Sequence, residues 1–320
     1  DKVLSQVFFD ELGLPEPDRY LGVGSASHGV QTARLLEALE AEFVDIAPSG
    51  VVVYGDVNST LAATLAATKL EIPVAHVEAG LRSFDRTMPE EINRIVTDSL
   101  SDIHLVTSPE AIGHLAHEGI DVERIYFVGN TMIDTLERVR SRLDAAPVLA
   151  RLGVHAPYGL VTLHRPGNVD DPVRASDIVE GLREVAKRIP LVFPVHPRGR
   201  VALAAAGLDE ADGVVLTEPL GYLEFTSLMS AASVVITDSG GVQEETTMLD
   251  VPCVTVRPNT ERPITISHGT NRLTEPDGLV TATHDALDVG HGPVSDRPPL
   301  WDGKAGARAA AVLASWAGKP

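Results

Sequence analysis

VVVYGDVNSTLAATLAATKLEIPVAHV, residues 51–77, decides the fold. VVVYG (51–55) and PVAHV (73–77) do not alternate polar and apolar residues. That continuity marks parallel strands covered on both faces. The alanine-rich stretch between them predicts a helix over 58–69. The unit is therefore strand, helix, strand.

The same alternation runs outward along the chain. Further strands are expected at 103–107, 125–129, 159–163, 190–195, 213–217, 233–237 and 251–256. Helices are expected at 30–46, 89–100, 108–118, 131–143, 172–188, 222–231 and 241–248. Repetition of this kind means doubly wound α/β. The weak, Ala/Gly/Pro-rich stretch 144–158 sets a boundary between two Rossmann-like domains, 1–148 and 149–302, facing across a cleft. A closing helix, 303–320, is expected to pack back on the first domain, and the Pro/Gly/Asp-rich stretch 284–302 reads as loop. The chain opens on an amphipathic helix (1–14) rather than a strand, so the first domain reads as lacking its N-terminal βαβ portion.

Bulk properties narrow the function. A length of 320 residues suits two domains. A net charge of −19, from 26 basic and 45 acidic side chains, argues against nucleic-acid or anionic-membrane partners. The single cysteine, Cys253, lies in the apolar run VPCVTV and reads as a core residue, consistent with a reducing, cytoplasmic setting. No apolar run reaches the roughly 18 residues of a membrane span. GVGSASHG (22–29) follows no strand and lacks dinucleotide-loop spacing, and the histidines are scattered. Neither a cofactor nor a metal is expected.

Ligands of open parallel sheets bind beyond the carboxyl ends of the strands. Those ends carry Asp56, Glu78, His164 with Arg165, His196 with Arg198, and Asp238 with Ser239, Gly240 and Gly241. In TDSGGVQEE (237–245), two glycines between a buried strand and a helix let backbone N–H groups approach an anion, and the helix N-terminus adds partial positive charge. That suits a diphosphate. Glu244 and Glu245, one turn in, are placed to accept hydrogen bonds from ribose hydroxyls. Glu90 and Glu91 open the helix after Pro89, where the dipole favours them. With Asp56 and Glu78 they form a carboxylate cluster able to take and return a weakly acidic C–H proton, with Arg82 and Arg94 balancing the charge.

Seven segments then occur in one order: VYGDVNSTLAA, HVEAGLRSFDRTMPEEINR, VGNTMIDTL, VTLHRPGN, PVHPR, ITDSGGVQEE and RPNTERPITISHGTN. Together they resemble the non-hydrolysing UDP-N-acetylglucosamine 2-epimerases, over most of residues 1–275. The resemblance implies a GT-B-like architecture and reversible C2 epimerisation of UDP-N-acetylglucosamine to UDP-N-acetylmannosamine. UDP is eliminated to leave 2-acetamidoglucal, and then adds back. It implies Asp56, Glu78 and Glu90 as acid–base carboxylates and His164 as the group facing the departing diphosphate. It implies substrate contacts from Arg165, Phe225 (against uracil), Ser239, Gly240, Gly241, Glu245 (ribose) and Arg262. His196 is structural or serves effector binding. A UDP-sugar is the implied partner, also as allosteric effector, and a homodimer the implied assembly.

Two departures qualify the resemblance. The family's opening strand with its GTRPE-type loop, and the following Gln-His stretch, are missing, a gap of about 30 residues or one βαβ unit. The sequence is then a fragment or a truncated relative. Gly167 stands where the family commonly carries glutamate. Alternatives are a hydrolysing 2-epimerase releasing N-acetylmannosamine and UDP, a GT-B glycosyltransferase, and a truncated nucleotide-sugar-binding remnant.

Overall fold

The central strands Ile103–Val106, Leu191–Pro194, Val234–Thr237 and Cys253–Val256 are near-continuously apolar because both of their faces are buried. In a computed structural model the described residues are 9, 11–292 and 296–317, the side chains of Pro197, Arg198 and Ala317 excepted. Most of the amphipathic helix expected over 1–14 lies outside the described residues. Among the described residues, chain contacts define two units, one built from 15–135 and 299–317, the other from 11–14 and 136–298.

The first unit carries a four-stranded sheet in the order β1 (Val51–Tyr54), β2 (Val74–Ala79), β3 (Ile103–Val106), β4 (Ile125–Phe127). All its pairings are parallel. Ala75, Val77 and Leu105 pack on one face with Ala309, Val312, Leu313 and Trp316 of the closing helix, Ala305–Ala317. Asp134 accepts the Ala305 and Gly306 N–H groups at 2.9 and 2.7 Å, supplying acceptors for the free amides that open that helix. Trp301 is buried and donates its indole N–H to the Thr107 carbonyl at 2.8 Å.

The second unit holds six parallel strands: β5 (Gly159–Thr162), β6 (Leu191–Pro194), β7 (Val214–Thr217), β8 (Val234–Thr237), β9 (Cys253–Val256) and β10 (Asn271–Thr274). Their spatial order is β10-β9-β8-β5-β6-β7. Successive residues face opposite sides. Val161, Phe193 and Ile236 enter one core, while Leu160, Val192 and Val235 enter the other. The chain winds from β5 out to β7, then returns to the far side of β5 at β8. The strand order therefore reverses between β5 and β8, and such a switch point is where doubly wound sheets bind ligands.

One expectation is corrected, the loop from 284, and two further elements carry no clear signal in the sequence. The weak stretch 144–158 contains a helix, Ala146–Leu152, closed by Gly153 in the left-handed region. The stretch read as loop from 284 begins inside a helix, Leu279–Val289, whose Leu279, Thr283 and Ala286 are buried at helical spacing. Strand β10 has the sequence NRLT, with no apolar run to mark it, because it lies at the sheet edge. Among the described residues, no helix is long and apolar enough to cross a membrane.

Candidate active site

In the first unit, the end of β2 is irregular. The β2–β3 register shifts between Val77 and Ala79, so Glu78 is the extra residue of a bulge, with φ at +73°. A non-glycine residue held there costs about 1–3 kcal/mol and is tolerated where the surroundings fix it. Bulges of this kind re-aim a side chain. Here the Glu78 carboxylate lies beside Gly55, its Oε2 3.4 Å from the point a Cβ on Gly55 would occupy. Gly55, at φ +63°, starts the turn that presents Asp56.

Asp56 pairs with Arg94 Nη1, and Arg94 Nη2 also meets Glu91 at 2.7 Å. Glu91 is buried and accepts the backbone N–H groups of Ser83 and Phe84, each at 2.9 Å. Burial opposes its charge, but those amides and the guanidinium outweigh it and hold the carboxyl below its ordinary range. The two adjacent glutamates thus have different environments. Glu91 holds the 83–84 loop. Glu90 is half-buried and lines a cavity of about 360 Å³ together with Asp56, His28, Gln31, Asn58 and Asn93. Arg82 does not join this group, although a role balancing its charge was expected. It pairs with Asp98 at 2.7 Å and Glu118 at 2.6 Å.

In the second unit, the loops after β5 and β8 meet at the switch point. Asp238, fully buried, accepts the N–H groups of His164 (3.1 Å) and Arg165 (3.0 Å) and the Asn168 side-chain amide (3.1 Å). His164 Nδ1 lies 3.2 Å from the same carboxylate. Burial works against the Asp238 charge, yet these donors keep its pKa low. An ionised Asp238 makes Nδ1 the protonated nitrogen, which leaves Nε2 of the half-exposed ring as the nitrogen to act. The sequence names Asp238 only as a strand-end residue. Its role depends on contact with a loop 74 positions away.

Ser239 is the N-cap residue of the helix Gly240–Leu249. A Cβ on Gly240 would lie 2.4 Å from Arg262 Nη1, so only glycine lets the loop and this guanidinium coexist undisturbed. Arg262 is held by Glu244 at 2.9 Å and by Glu261. Glu261 also meets Arg257 at 2.7 Å and Arg165 at 3.4 Å. Burial disfavours its charge, but the three guanidiniums reverse that and depress its pKa strongly. Three arginines thus converge beside a glycine-opened helix N-terminus. Gly241 and Phe225 are half-buried, Phe225 packing on the core that contains Val235 and Val242. Glu245 is buried and accepts the Tyr222 hydroxyl at 2.8 Å. Burial pushes its pKa up to about 7. The exposed His196 ring lies 6.1 Å from that of His164, centre to centre.

A parallel doubly wound sheet whose switch point gathers a glycine-opened helix N-terminus and three arginines defines an α/β protein of the doubly wound class, which binds ligands beyond its strand ends. The pattern of one such family, UDP-N-acetylglucosamine 2-epimerase, matches residues 1–314. The chain belongs to that family. It is 41% identical to the UDP-N-acetylglucosamine 2-epimerase of Methanocaldococcus jannaschii, over 97% of this chain and 87% of the relative. It is 43% identical to the UDP-2,3-diacetamido-2,3-dideoxy-D-glucuronate 2-epimerase of Pseudomonas aeruginosa, over 85% of this chain and 77% of that protein. Among solved structures it is similar to the M. jannaschii UDP-GlcNAc 2-epimerase crystallised with UDP-GlcNAc and UDP. There the TM-score is 0.89, with 97% of this chain and 88% of that one covered.

Proposed function

We propose that the chain interconverts UDP-N-acetylglucosamine and UDP-N-acetylmannosamine without net hydrolysis. A carboxylate takes the C2 proton while the C1–O bond breaks. The electron pair of the C–H bond forms the C1=C2 bond of 2-acetamidoglucal, and the bonding pair of C1–O leaves with UDP. In the return step UDP oxygen re-forms the bond to C1, and C2 receives a proton on its other face. The strained bulge that carries Glu78 to Gly55 is the observation that most supports this reading. A chain holds a carboxylate in that conformation only where packing enforces it.

Glu78 and Asp56 are assigned the proton transfers, and Glu90 the same class of work from the cavity wall. His164, with Asp238 behind it, meets the charge that develops on the departing diphosphate through Nε2. Ser239, Gly240 and Gly241 supply backbone donors for the diphosphate, with Arg165 and Arg262 beside them. Glu245 accepts from the ribose and Phe225 lies against the base. The relative from P. aeruginosa favours a second reading, the same reaction on UDP-2,3-diacetamido-2,3-dideoxy-D-glucuronate. A homodimer, with a UDP-sugar also acting as effector, completes the proposal. Sedimentation equilibrium reads the first and rate against substrate concentration the second.

The test is proton NMR in D₂O with each UDP-sugar in turn. Deuterium entering C2, with both epimers present and no free sugar, is expected for the true substrate. Accumulating N-acetylmannosamine would point to hydrolysis, and retention of the C2 proton with both sugars would overturn the reaction class. Glu78→Gln and Asp56→Asn should each lower turnover by at least about 100-fold, the usual worth of a positioned acid or base, while UDP affinity stays within a few fold.

A further inference from the structure

His76 sits on β2, two residues before Glu78, and has no solvent exposure. Its Nε2 lies 2.8 Å from the Gly55 carbonyl oxygen. A carbonyl only accepts, so Nε2 carries a proton. Its Nδ1 lies 2.6 Å from Asp98 Oδ1. The other Asp98 oxygen takes the Arg82 guanidinium at 2.7 Å and the Gly80 N–H at 3.1 Å. Two donors on one oxygen favour an ionised carboxylate, so Nδ1 is protonated as well.

The turn that His76 holds is the one that presents Asp56. Gly55 donates its own N–H to the Val77 carbonyl at 3.1 Å while its carbonyl accepts from His76. Both hydrogen-bonding groups of Gly55 are therefore fastened to β2, and the Glu78 carboxylate lies beside this residue. We propose that His76 is a positioning residue held as a doubly protonated imidazolium, which locks the Gly55–Asp56 turn to β2 and keeps Glu78 in its ionised, proton-accepting form. The second part rests on the acid–base role proposed for Glu78.

The surrounding charges agree. Around the ring are Asp98 from the helix Pro89–Leu100, Arg82 from the loop after β2, Glu78 on β2 and His104 on β3. Burial lowers the His104 pKa, and its Nε2 faces the Asp98 carbonyl at 2.8 Å, so it contributes no competing cation. Glu118 balances Arg82. Burial disfavours a charged His76, yet Asp98, the Gly55 carbonyl and Glu78 together raise its pKa above the ordinary value. The attraction between His76 and Glu78 is mutual, so the same cation lowers the proton affinity of Glu78.

Two measurements test this. In enzyme labelled with ¹⁵N-histidine, long-range proton–nitrogen correlations should show both His76 nitrogens protonated at about pH 7.5, where an unperturbed imidazole is mostly neutral. The resonances are assigned by their loss in His76→Gln. A neutral His76 would overturn the proposal, and this holds whatever reaction the enzyme catalyses. In His76→Gln the amide still reaches the Gly55 carbonyl while the charge is gone. The acid limb of its kcat profile should move to higher pH by about one unit, about a tenfold loss on that limb, with the far-UV circular dichroism spectrum retained. An unmoved limb would refute the electrostatic role. If the wild type put no deuterium into C2, the proposed function would fall and the nitrogen spectrum would still decide how His76 is held.

Discussion

Glu245 shows how one residue's surroundings set its chemistry. Its carboxyl is buried, and the Tyr222 hydroxyl only partly offsets the resulting rise of its pKa to about 7. Near neutrality a substantial fraction is protonated, which turns one of its two oxygens from an acceptor into a donor. Ribose hydroxyls need an acceptor there. UDP affinity, measured by calorimetry, should therefore weaken several-fold as pH falls from about 8 to about 6, since the ionised form is lost through that range. In Glu245→Gln affinity should be weaker and flat over the same interval. A wild-type affinity independent of pH would remove Glu245 from the ribose contact. The stability linkage has a definite sign. A raised carboxyl pKa means the native state binds the proton more tightly than the unfolded chain. The favourable contribution is full below the unfolded value and is lost as pH rises towards about 7.

At the scale of elements, the helix Gly240–Leu249 joins the glycine-opened loop to the arginine cluster. A Cβ at position 240 would meet Arg262 Nη1 at 2.4 Å and Glu261 Oε1 at 2.8 Å. Gly240→Ala must therefore displace a buried ion-pair network. A loss of about 1–3 kcal/mol in urea denaturation is expected, the usual cost of overpacking. UDP affinity should fall at least tenfold, and wild-type values for both would show that the loop is not held this way. Most elements are legible because burial on both faces leaves strands such as VVIT and CVTV with a near-continuous apolar signal. The edge strand NRLT gives none, and the helix 279–289 runs into a Pro/Gly-rich stretch that masks its end. Strand ends pointed to Asp56, Glu78 and His164. The difference between Glu90 and Glu91 was not readable, since it depends on where the 83–84 loop folds back. Asp238 and His76 were equally hidden, because their partners come from other strands or from helices distant in sequence.

For the whole molecule, a net charge of −19 describes the surface on average and not the loop beside β8, where Arg165, Arg257 and Arg262 surround Glu261. The proposed UDP contacts belong to the second unit, and the proposed acid–base carboxylates to the first. Binding to the native state alone stabilises it by mass action. At about 100 times its Kd, UDP should add about 2.7 kcal/mol, or about 100-fold slower exchange for amides that exchange through opening of the binding unit. Hydrogen exchange read by mass spectrometry should place the largest slowing in peptides from 159–165 and 234–249. Peptides covering 51–56 and 74–79 should change much less, because UDP without its sugar gives the carboxylates nothing to act on. Equal protection of the two sets, or protection confined to the first unit, would mean that the diphosphate is not held by the Ser239–Gly241 loop. The roles assigned to His164, Arg165, Glu245 and Arg262 would then fail together.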